Sequence, residues 1–151
     1  MKLPPDLLAY HRKGGYAALC VIGTRELVAR RLGDNMGGRP IKFGISELWD
    51  DRYTPMVDQW SPYHWHGLLW RVWTHGRPWA GKLEQIITDD LAPERLRNGG
   101  IDLGPDGSLK ALIERAKRLA DAHNVEIWDD NWHLALLRKR MSDAMRREVE
   151  A

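Results

Sequence analysis

Arg52 and Glu84 are the two residues of this chain whose types and settings could do chemistry together. Arg52 closes the stretch Ile41-Lys42-Phe43-Gly44-Ile45-Ser46-Glu47-Leu48-Trp49-Asp50-Asp51-Arg52, in which an apolar run enters a glycine and a hydroxyl residue follows it. Glu84 ends Trp79-Ala80-Gly81-Lys82-Leu83-Glu84, one helical turn after Ala80. Cutting a phosphodiester requires an activated water, stabilised charge on the phosphoryl oxygens and help for the leaving oxygen. A guanidinium can meet the second need. A carboxylate that holds one hydrated divalent cation can meet the others, because a hard cation that keeps most of its waters needs only one or two protein oxygens. Lys42, Arg52 and Glu84 must then converge on one concave surface.

The elements that would position these residues can be read from spacing. Asp6 to His11, after Pro4-Pro5, suits a short helix that Gly14-Gly15 ends. Tyr16 to Ile22 is a short apolar run closed by Gly23, as a buried strand requires. Thr24 reads as the N-cap of a helix with Leu27, Val28 and Leu32 on one face. Ile41 to Ile45 is a second strand, and Ser46 caps a short helix from Glu47 to Tyr53. Tyr63 to His66 reads as a loop, and the alternation from Leu68 to Thr74 predicts a third strand. Pro78 opens a helix to about Leu91, and Ile101 to Leu103 is extended. Ser108 caps an amphipathic helix carrying Leu109, Leu112, Ile113, Ala116, Leu119 and Ala120. A last helix starts near Asp129, with Leu134, Leu137, Met141 and Met145 as its apolar stripe. This order predicts one α+β domain over residues 15–104, after an N-terminal segment 1–14 and before a helical C-terminal extension, 105–151, packed on the same domain.

In this order and spacing the residues resemble the GIY-YIG nuclease superfamily, in particular its divergent phage and bacterial branch, where the second-strand motif usually reads Lys-Ile-Gly. Lys42-Phe43-Gly44 stands at that place, followed by Ser46, Arg52, Ala80 and Glu84 at the family's spacing, and the resemblance covers about Tyr16 to Asp90. It implies a small, mostly antiparallel three-stranded sheet flanked by helices, and magnesium-dependent cleavage of DNA. Carried over, Glu84 is the metal ligand and Arg52 the phosphate clamp. The departures are substantial. The family's first-strand tyrosine falls near Cys20, its second is replaced by Lys42, and a histidine common in this branch is Thr88 here. Tyr16 and Tyr53 are candidates to restore the lost hydroxyl, and spacing selects neither. Three readings stay open: an endonuclease of phage or mobile-element character; the same fold with its chemistry lost, engaging nucleic acid or a host protein; and a structural or accessory phage protein with an unrelated α+β fold.

Composition sets the frame. The 151 residues suffice for one domain, with 43% apolar and 29% charged residues, as in ordinary globular chains. A formal charge of +2 permits contact with DNA without demanding it. Candidate nucleic-acid contacts are Arg39, Ser46 and the run Arg138-Lys139-Arg140. The stripe Leu134/Leu137/Met141 offers a face for a homodimer. Cys20, the single cysteine, lies in an apolar run and reads as a buried thiol. The eight tryptophans read as packing residues before base-stacking ones. His64 and His66 lack a third ligand at a zinc-site spacing. No apolar stretch reaches bilayer length and no signal peptide opens the chain, so a cytoplasmic protein with no membrane partner is expected.

Overall fold

A computed structural model describes residues 3–24, 40–49, 65–91, 101–102 and 108–150. Eight elements follow in chain order: α1 (Pro5–Gly14), β1 (Ala17–Thr24), β2 (Pro40–Ser46), β3 (Trp65–Thr74), α2 (Arg77–Asp90), β4 (Ile101–Asp102), α3 (Leu109–Ala122) and α4 (Asp130–Glu150). The strands form one antiparallel sheet in the order β3-β1-β2-β4, in which β4 adds only two residues against Pro40 and Ile41. The fold is α+β, as expected.

β1 is the central strand, and its alternation builds two cores. Leu19 and Val21 face α2 and α3 in a cluster with Ile41, Val72, Leu83, Ile87 and Leu112. Ala18, Cys20 and Ile22 face the other way, toward Leu7 of α1, Trp49, Trp73, Trp128 and Leu134 and Leu137 of α4. The result is three layers, with helices on both faces of the sheet. Cys20 is buried as expected.

Local signals account for most boundaries. α1 begins with a proline in its first turn and ends at Gly15, whose φ of 68° is the left-handed cap a glycine adopts at low cost. Ser108 Oγ accepts the Ala111 amide and so satisfies one of the orphan donors opening α3. Four expectations need correction. Ser46 is the last residue of β2, and its hydroxyl accepts the Leu48 amide in a tight turn, so residues 47–49 are not helical. β3 begins at Trp65, so Trp65 and His66 belong to a strand rather than a loop. A bulge opposite Val21/Ile22 interrupts the simple alternation of β3: Val21 pairs with Trp70 and Ile22 with Leu68. The stripe expected as a dimer face is spent inside the molecule, because Leu134 and Leu137 are buried in the second core and Met141 packs against it. Met145, one turn beyond that face on the same helix, is exposed. The helix capped by Thr24 lies outside the described residues, as do residues 50–64.

α4 is therefore no appendage. It supplies Leu134 and Leu137 to the second core, and Trp128, just before it, bridges to β3 by backbone hydrogen bonds with Trp73 in both directions.

Candidate functional site

The residues expected to act on a phosphodiester are divided by the sheet. Lys42 lies between Ile41 and Phe43, which pack toward α2, and pairs in register with Ile22 of the second core. Its side chain consequently leaves the face opposite α2. Glu84 is carried by α2 itself, whose Ala80, Leu83 and Ile87 are buried against the first core. Lys42 and Glu84 thus occupy opposite faces, and the expected convergence of these two is corrected. The physical reason is the two-residue period of a strand, which sends neighbours to opposite sides. Arg39, Arg52 and Tyr53 lie outside the described residues.

Glu84 keeps one property that a metal ligand needs. No hydrogen bond or ion pair to its carboxyl occurs among the described residues, although burial raises its pKa and so opposes the ionised form a cation binds. No cluster of three or more potential His, Cys, Asp or Glu ligands occurs among the described residues.

Tyr16 lies on the opposite side, 2% exposed, in the second core. Its ring meets His133 edge-on at 4.7 Å and Trp128 at 5.9 Å, with the Arg140 guanidinium 5.2 Å from the ring centre. Burial raises the pKa of its phenol, Arg140 opposing, and the buried hydroxyl has no hydrogen-bond partner among the described residues. Gly14 packs so closely on this ring that an added Cβ would collide with it. Gly14→Ala is expected to cost about 1–3 kcal/mol through overpacking, read as a lower midpoint in thermal unfolding, and an unchanged midpoint would contradict the close packing.

Beneath Tyr16 runs a polar chain that spacing alone did not single out. Trp128 Nε1–H donates to His133 Nδ1 at 2.9 Å, a direction fixed because an indole nitrogen can only donate. His133 must then carry its proton on Nε2, which donates to His11 Nδ1 at 2.9 Å. His11 in turn carries its proton on Nε2 and donates to the Glu47 carbonyl at 2.8 Å. One tautomer of each ring satisfies every link, and both rings are neutral. Burial, with the charge of nearby Arg71, lowers the pKa of both, His133 to about 3. The chain ties α1, the turn after β2 and α4 into one seam. The available signal was position: His133 falls one turn before Leu137 within the apolar stripe of α4.

Beside the seam, Arg71 of β3 is buried and gives Asp130 two hydrogen bonds, Nε at 3.0 Å and Nη2 at 2.8 Å. Trp73 Nε1 adds a third at 2.7 Å. Burial would raise the Asp130 pKa, but the hydrogen bonds from Arg71 and Trp73 and the Arg71 charge hold it below the usual range.

At the surface above this seam, α1 and α4 flank an open cleft of about 540 Å³. Tyr10, Lys13 and Gly14 line it from α1; Lys139, Arg140, Asp143 and Arg147 line it from α4 with Leu136 and Ala144. These positions recur every three or four residues, which puts each set on one helical face. Four cations therefore meet one carboxylate. Of the basic run singled out in the sequence, Lys139 and Arg140 line the cavity, and Lys13 and Arg147 join them from positions the run did not include. Arg138 is exposed on another side of α4, since consecutive helical residues turn by about 100°. Ser46 lies at the end of β2, on the turn that holds Glu47. No described helix is long and apolar enough to cross a membrane. Comparison with known proteins finds no family model, no curated protein and no solved structure that matches this chain.

Proposed function

We propose that this protein is a nucleic-acid-binding α+β module that holds phosphates in the cleft between α1 and α4. The observation that carries the reading is the meeting of Lys13, Lys139, Arg140 and Arg147 around one cavity against the single acid Asp143. The C-terminal end of α1 brings opposing partial negative charge of about half a unit, which the four cations outweigh. The chain as a whole is almost neutral, at +2, so this concentration is local. The reading agrees with the form of the GIY-YIG resemblance in which chemistry is lost.

Binding of a fluorescent DNA oligomer, followed by anisotropy, tests it. Affinity is expected to fall steeply as salt rises, because bound phosphates release counterions. Lys139→Glu with Arg147→Glu is expected to weaken binding about tenfold or more at low salt, with the thermal midpoint retained. Absence of wild-type binding at low salt, or equal binding by the double variant, would overturn the reading.

A second reading, magnesium-dependent cleavage of DNA, is favoured by the partly buried, unpartnered carboxyl of Glu84 among the described residues. Glu84 would hold the cation, which would supply an activated water, and Arg52 would neutralise the phosphate. Plasmid nicking that requires magnesium and disappears in Glu84→Ala supports it, and equal nicking by both proteins rejects it.

A further inference from the structure

We infer that the cleft between α1 and α4 takes the phosphorylated end of a nucleotide chain, a phosphate monoester with its attached nucleoside, in preference to an internal phosphodiester. The inference rests on the nucleic-acid reading above and deepens it. Its ground is shape joined to charge. A flat basic face would track a backbone, whereas here the cations line a concavity of about 540 Å³, a volume within the range of small-molecule sites and too small to admit a duplex. One wall comes from the last turns of α1 and the other from the middle of α4.

The lining suits each part of such an end. Lys13, Lys139, Arg140 and Arg147 exceed Asp143 by three charges, so the cleft gains from the second negative charge that a monoester carries and a diester lacks. Arg140 is oriented before any ligand arrives, its guanidinium resting 5.2 Å from the centre of the buried Tyr16 ring. Tyr10, half-buried on the α1 wall, offers a ring on which a base can stack. Asp143 is the single acceptor among the charged lining groups and faces Arg146 at 3.5 Å, leaving it able to receive a sugar hydroxyl or an amine of a base.

The test compares a single-stranded oligothymidylate bearing a 5′-phosphate, a 3′-phosphate or neither, with thymidine monophosphate, thymidine and inorganic phosphate as competitors. A phosphorylated end is expected to bind about fivefold or more tightly than a hydroxyl end, equivalent to about 1 kcal/mol for one extra charge about 4 Å from a cation in water. The monophosphate is expected to compete better than inorganic phosphate, and that margin to shrink in Tyr10→Ala. The preference is expected to vanish in Lys13→Gln with Lys139→Gln, whose thermal midpoint checks that the fold persists. Equal affinity for phosphorylated and hydroxyl ends would overturn the inference while leaving backbone binding intact. Failure to bind any oligomer would remove both readings. Competition by inorganic phosphate as effective as that by the monophosphate would show a bare anion site and overturn the nucleotide assignment.

Discussion

Replacing Asp130 with alanine is expected to lower stability by about 2–3 kcal/mol. Asp130 accepts hydrogen bonds from Arg71 Nε, Arg71 Nη2 and Trp73 Nε1. The Arg71 side chain is only 4% exposed, whereas that of Asp130 is 41% exposed. The half-open carboxylate keeps the loss below that of a fully buried pair, since water screens part of the attraction. Trp73 is fully buried and would lose the acceptor of its indole N–H. For a chain of this size each kcal/mol moves the thermal midpoint by roughly 2–4 °C, so a fall of about 4–12 °C is expected. Asp130→Asn keeps one acceptor oxygen and is expected to lose about half as much. A midpoint for Asp130→Ala within about 1 °C of wild type would show that the three hydrogen bonds contribute no net stability.

Acidification is expected to destabilise the protein well above the range in which carboxylates titrate. His11 and His133 are neutral in the folded seam, and charging either would put a second N–H where a donor already points. Their folded pKa values are lowered, that of His133 to about 3, while an unfolded histidine titrates near 6.5. The unfolded chain therefore binds protons that the folded chain refuses. Stability is fully present above about pH 6.5 and declines as pH falls toward 3, by about 1.4 kcal/mol per pH unit for each histidine that stays neutral in the fold. Between pH 6.5 and 5 His133 alone accounts for about 2 kcal/mol. Asp130, whose pKa is lowered, adds a separate loss only as pH drops below the ordinary carboxylate value. Urea unfolding at pH 7.5, 6.0 and 5.0 measures the effect. His133→Gln is expected to be less stable at pH 7.5 but flatter with pH, and an unchanged slope in that variant would assign the acid sensitivity elsewhere.

Much of the fold was legible from the chain itself. The buried run of β1, the proline and glycine bounding α1, the Ser108 cap and the apolar period of α3 are local signals read by local geometry. The identity of each strand's partner face was less legible, because β3 carries a bulge that no alternation shows. The short helix expected after Ser46 failed at residues 47–49 for a related reason: Glu47 gives its carbonyl to His11, a partner remote in sequence.

The functional residues divide in the same way. Sequence determined that Lys139 and Arg140 belong to a basic segment of a C-terminal helix, and that Cys20 is core. Tertiary structure decided that Lys13 joins that basic segment, that Lys42 and Glu84 are parted by the sheet, and that Arg71 is buried beside Asp130. It also decided that two histidines from opposite ends of the chain meet, His11 and His133. Periodicity reports which face of its own element a side chain occupies. Which faces then meet depends on how sheet and helices stack, and that is set by burial summed over both cores rather than by any one segment.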